Sequence, residues 1–128
     1  MPKGMTTGIR TLLDRRRMWR WLAILAALII AVGSLMPGSE LPDSLPSDKI
    51  NHLLGYAGLA ALIALSGRRY GWAAVLAVGF GVVIEWAQLH VPGRSGADLP
   101  DIAANSVGAL LGVGSVAWLA RRCRSDQA

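Results

Sequence analysis

Among the ionisable and amide side chains of this 128-residue sequence, ten that could do chemistry together fall in three short groups. Asp48, Lys49 and His52 form the first, Glu85, Gln88 and His90 the second, and Arg94, Asp98, Asp101 and Asn105 the third. His52 and Glu85 suit a general acid/base pair, because a carboxylate beside an imidazole holds its tautomer and can exchange a proton with it. Lys49 and Arg94 supply cations suited to phosphate, the guanidinium in a bidentate fork. His52, Glu85 and Asp101 are also donors that a divalent ion accepts, but no close ligand spacing joins them, so no metal and no cofactor is assigned. No nucleophile motif accompanies these residues.

Spacing says which faces they share. Asp48, His52 and Tyr56 recur at i, i+4 and i+8, and Gly81, Glu85 and Gln88 at i, i+4 and i+7. Asp101, Asn105, Gly108 and Gly112 continue a stripe of the same kind, each stripe lying on one face of a helix. Gly108-x-x-x-Gly112 is the small-residue pattern of close membrane-helix contacts. Each residue also has a plainer use. Asp48 and Asp101 can cap helices, Gln88 and Asn105 can bond between helices, and His52 can be a packing residue. Lys49 can snorkel to headgroups, Arg94 can meet lipid phosphate without selectivity, and His90 can be an interfacial loop residue. Glu85 is the hardest to explain this way, since Gln would bond equally well without ionising.

The segments that must position these groups are apolar. Residues 21–39, 50–67 and 102–120 carry no Asp, Glu, Lys or Arg, and 70–93 carry only Glu85. A helix needs roughly 17–25 such residues to cross a hydrocarbon core. A soluble bundle would show polar residues every third or fourth position on its outer face, and that face is missing. The reading is therefore an all-α membrane four-helix bundle with four transmembrane helices. Residues 1–18 form a basic leader expected to be poorly ordered, 19–120 the four-span domain, and 121–128 a tail. Pro37-Gly38 and Pro92-Gly93 end the first and third spans, the third at about Val91, and Ser47-Asp48 and the Pro100-Asp101 step begin the second and fourth.

Charge sets the expected orientation. Of 13 basic residues only Lys49 and Arg94 lie on the side opposite the termini, so the positive-inside rule places both termini in the cytoplasm of a cytoplasmic (inner) membrane protein. Basic residues sorted by loop in this way do not make a nucleic-acid surface, and no nucleic-acid partner is expected. The first apolar run is long for a signal peptide and is expected to be retained. Cys123, the only cysteine, forms no disulfide and is read as incidental.

The ordered set Asp48-Lys49-x-x-His52, Glu85-x-x-Gln88, Pro92-Gly93-Arg94 and Asp101-x-x-x-Asn105-x-x-Gly108 resembles the VanZ-like family of small bacterial membrane proteins, over about residues 46–115. The resemblance implies a membrane protein associated with glycopeptide (teicoplanin) resistance, with Asp48, Lys49, His52, Glu85, Gln88, Arg94, Asp101 and Asn105 as its recurrent polar positions. The interval from Arg94 to Asp101 is longer than the resemblance leads one to expect. That leaves Asp98 and Asp101 as alternatives for the acidic position, with the spacing to Asn105 favouring Asp101.

The function expected from these residues is binding of an envelope-lipid head group or a lipid-linked cell-wall precursor in a polar pocket facing away from the cytoplasm. In it, Asp48, Lys49, Gln88, Arg94, Asp101 and Asn105 would bind, and His52 with Glu85 would serve as acid/base pair if chemistry follows. A small proton-coupled transporter using Glu85 and a non-catalytic scaffold for envelope enzymes are the alternatives, the latter with an enzyme partner or a second copy of the chain.

Overall fold

The structure is a computed structural model describing residues 2–43, 48–67, 69–126 and 128; the side chain of Asp48 lies outside the described residues. Its helices are α1 (Lys3–Leu13), α2 (Arg16–Leu35), α3 (Asp48–Gly67), α4 (Tyr70–Gln88) and α5 (Leu99–Ser125), with a 3-10 turn at Gly38–Glu40. No strand occurs among the described residues. Helices α2 to α5 are each long and apolar enough to cross a membrane. The chain is an all-α, multi-pass membrane bundle.

Helix ends follow local chemistry. Met36 is extended ahead of Pro37, whose ring disfavours helical geometry in the preceding residue, so α2 stops at Leu35. Helix α4 ends at Gln88, three residues short of Val91. The amides of Leu89, His90 and Val91 each turn back to the carbonyl three residues earlier, tightening the last turn before Pro92. Asp98 stands extended at the N-cap position of α5, and Pro100 sits in the first turn, where its missing N–H has no intrahelical partner to lose. Helix α5 then runs on to Ser125, so residues 121–125 are helical.

The leader departs from its expected disorder. Residues 3–13 form a helix, because Met5, Ile9, Leu12 and Leu13 recur with helical period and put one apolar side on α1. Thr6 and Leu13 are buried on that side, α1 packs against α5, and Cys123 of α5 is 2% exposed. Cys123 is therefore a buried packing residue.

The tightest seam joins α3 to α5. A Cβ added at Gly108 would collide with the Leu53 carbonyl, and one at Gly112 with the Ala57 carbonyl. Both numbers rise together, so the two helices run parallel and begin at the same end of the bundle. Helix α2 packs against α3, and α4 against both α5 and α3. Ala60, Ala64, Ala73, Ala77, Ala109, Val113 and Val116 fill the core, while Trp21, Leu28, Ile29, Val32 and Val83 stay exposed. Small residues inside and large apolar residues outside are what packing in lipid requires, since chain association there depends on close contact rather than on escape from water.

Candidate functional site

The parallel start of α3 and α5 places His52, Asp101 and Asn105 near one level, within the first two turns of the bundle end. Helix α4 arrives at that level with Glu85 and Gln88. All five side chains are buried, Glu85 and Asn105 to within 1% of full burial. Near the N-termini of two parallel helices the backbone presents partial positive charge, which favours the two carboxylates there.

His52 is held from one side and open on the other. Its Nδ1 lies 2.6 Å from Asn105 Oδ1. An amide oxygen only accepts, so Nδ1 carries the proton and donates, and in the neutral ring Nε2 bears the lone pair. Nε2 stands 3.8 Å from Glu85 Oε1 and 3.8 Å from Asp101 Oδ2, beyond hydrogen-bond reach of either. Glu85 is fixed by the loop that follows it: the Asp98 amide donates to Oε2 at 3.2 Å and the Ala97 amide donates to the Glu85 carbonyl at 3.0 Å. Ala97 adopts a left-handed φ of 55° to do so. Four buried polar atoms around this point have no hydrogen-bond partner among the described residues: Glu85 Oε1, Asp101 Oδ1, Asn105 Nδ2 and Tyr56 Oη.

Gln88 and Arg94 sit beside the cluster on a group the sequence does not mark. Gln88 Nε2 donates to the Ser34 carbonyl at 2.9 Å, and Arg94 Nε donates to the same oxygen at 3.1 Å. Ser34 lies in the last turn of α2, where carbonyls lack intrahelical partners, so the two side chains cap that helix. Four helices thus contribute, one more than the polar stripes indicate. The loops themselves are joined: Gly38 donates its amide to the Pro92 carbonyl at 3.1 Å, and Gly93 takes a φ of 72° where the two backbones meet.

Two cavities open on the site. A polar one of about 60 Å³ is lined by His52, Gln88, Gly93, Arg94, Ser95 and Asp101. A larger one of about 290 Å³ runs between α2 and α3, from His52, Ser34 and Arg94 at its polar end along Ile30, Gly33 and Gly55.

The structure therefore brings together His52, Glu85, Gln88, Arg94, Asp101 and Asn105. Asp101 puts its carboxylate beside His52, whereas Asp98 contributes its backbone amide. Lys49 is exposed in the first turn of α3 and lines neither cavity. The expected role of Asp48 falls outside the described side chains. His90 is exposed and packs edge-on to Trp86 at 5.3 Å. The sequence stripes include Tyr56 without giving it a role, and Gly81 as a small residue that lets helices approach closely. Tyr56 stacks its ring parallel to His52, and a side chain at Gly81 would strike Asn105. The Ser34 carbonyl has no sequence signal, because any residue there would present it.

Fold and site define a class: a helical membrane bundle with ionisable side chains walled in at one end. No protein-family model, curated protein or solved structure matches this chain.

Proposed function

We propose that this chain binds the phosphate-bearing head of an envelope lipid, or of a lipid-linked cell-wall precursor, at the outer face of the cytoplasmic membrane. The observation that carries the reading is the larger cavity, which joins a cationic end to an apolar channel between two membrane helices. A head group at Arg94 would leave its first acyl carbons against Ile29, Ile30 and Gly33. Arg94 spends only Nε on Ser34, and its terminal nitrogens make no hydrogen bond or ion pair among the described residues. They are free to meet phosphate oxygens in a fork.

The orientation rests on the same charge bias as before: the polar end lies opposite the side with most of the basic residues. The resemblance to the VanZ-like family fits this reading and adds glycopeptide resistance as its setting.

Native mass spectrometry of the protein extracted with its lipids tests the proposal. Wild type is expected to retain an anionic lipid or lipid-linked precursor that Arg94→Ala loses, with the binding ratio falling at least about tenfold for one charge-assisted pair. Wild type that retains no lipid selectively overturns it. Selective retention unaffected by Arg94→Ala overturns the assigned site.

A further inference from the structure

The orphaned atoms around His52 point to a ligand other than a lipid. Two carboxylates and an imidazole face one another, yet neither carboxylate hydrogen-bonds to the ring. Their ligand atoms all lie within 4.8 Å of one another. Donors held about 2.0–2.2 Å from a metal ion lie roughly 3–4 Å apart, so 3.8 Å is too long for a hydrogen bond and suitable for two ligands sharing an ion. The sequence spacing lacked this closeness; the packing of three helices supplies it.

We infer that His52 Nε2, Glu85 Oε1 and Asp101 form a binding site for a divalent transition-metal ion. Three independent features agree. Asn105 holds Nδ1–H, which leaves Nε2 as the donor and sets the ring's orientation, as second partners of metal-bound histidines do. Glu85 Oε1 and Asp101 Oδ1 are buried polar atoms with no partner among the described residues, a cost that an ion removes. The polar cavity of about 60 Å³ against His52 and Asp101 has room for water molecules to complete the coordination, each needing roughly 10–15 Å³.

Charge balance supports the same occupant. With both carboxylates ionised and the imidazole neutral the cluster carries a charge of minus two, and buried charge persists only when paired. A divalent ion neutralises it and leaves Arg94 for an anion. One nitrogen and two carboxylates, with no thiolate, suit Zn²⁺ or Mn²⁺ better than a soft ion, and the imidazole disfavours Ca²⁺ and Mg²⁺. The site does not depend on the lipid reading, although an ion beside Arg94 would offer a second positive group to a phosphate.

The test uses the full chain in detergent, stripped with a chelator and dialysed against Zn²⁺ or Mn²⁺ alone. One ion per chain is expected in wild type, with affinity reduced at least tenfold in His52→Gln and Asp101→Asn. His90→Ala, which removes the other histidine, is expected to bind as wild type does. Should the site variants not fold, electron spin-echo spectra of Mn²⁺-loaded wild type are expected to show coupling to one imidazole nitrogen, and to keep it in His90→Ala. Substoichiometric binding by wild type overturns the site, as does loss of binding in His90→Ala or a bound ion without nitrogen coupling. An ion bound without a retained lipid upholds the metal site while the lipid proposal fails; a retained lipid without a bound ion does the reverse.

Discussion

At the scale of single residues, the energetic weight of the site rests on the bond between His52 and Asn105. It is short and buried, so Asn105→Ala leaves the imidazole Nδ1–H without an acceptor. The expected cost is about 1–2 kcal/mol, read as a lower unfolding temperature in detergent. Glu85 and His52 were legible as site residues because a lipid-facing charge costs about 2.5 kcal/mol or more, and a residue type that costly in a membrane helix marks the interior. The choice between Asp98 and Asp101 was open in the sequence. Helix α5 begins so that Asp98 is the flanking residue whose amide reaches Glu85, while Asp101 lies within the first turn, facing His52. The Ser34 carbonyl was illegible, because a backbone acceptor carries no side-chain signature and only the end of α2 exposes it.

At the scale of elements, the parallel pair α3 and α5 sets the register of the whole cluster. Gly108 and Gly112 let α5 lie directly on the α3 carbonyls of Leu53 and Ala57, and any shift there would separate His52 from Asp101 and Asn105. Gly112→Ala is expected to lower the unfolding temperature and the folded yield, whereas Gly114→Ala meets nothing within 4 Å and should be neutral or stabilising by up to about 1 kcal/mol through helix propensity. Parallel thermal scans of the two variants check the contrast. The sequence announced this seam through its glycine spacing and polar stripe, though not the helix it would meet. Helix α1 went unseen because charge in the leader masks a four-residue apolar stripe. The early end of α4 went unseen because the last turn tightens through backbone bonds that composition does not encode.

At the scale of the whole molecule, the exchange of small residues inside for large apolar residues outside is stable only with lipid around it. The charge bias predicts which way the bundle sits. In a Cys123→Ser background, Ser39→Cys is expected to react with an impermeant maleimide added to intact cells. Arg17→Cys should react only after permeabilisation; the opposite pattern would reverse the orientation and turn the polar end towards the cytoplasm. From the chain alone one could read four membrane helices, their approximate ends and the residues too polar to face lipid, because hydrocarbon thickness and the cost of buried charge act on each segment separately. Only the folded arrangement could decide that α3 and α5 pack directly against each other, that Asp101 rather than Asp98 faces His52, and that a helix-end carbonyl anchors Arg94. Those facts depend on contacts between residues about 50 or more positions apart, and no local periodicity carries that information.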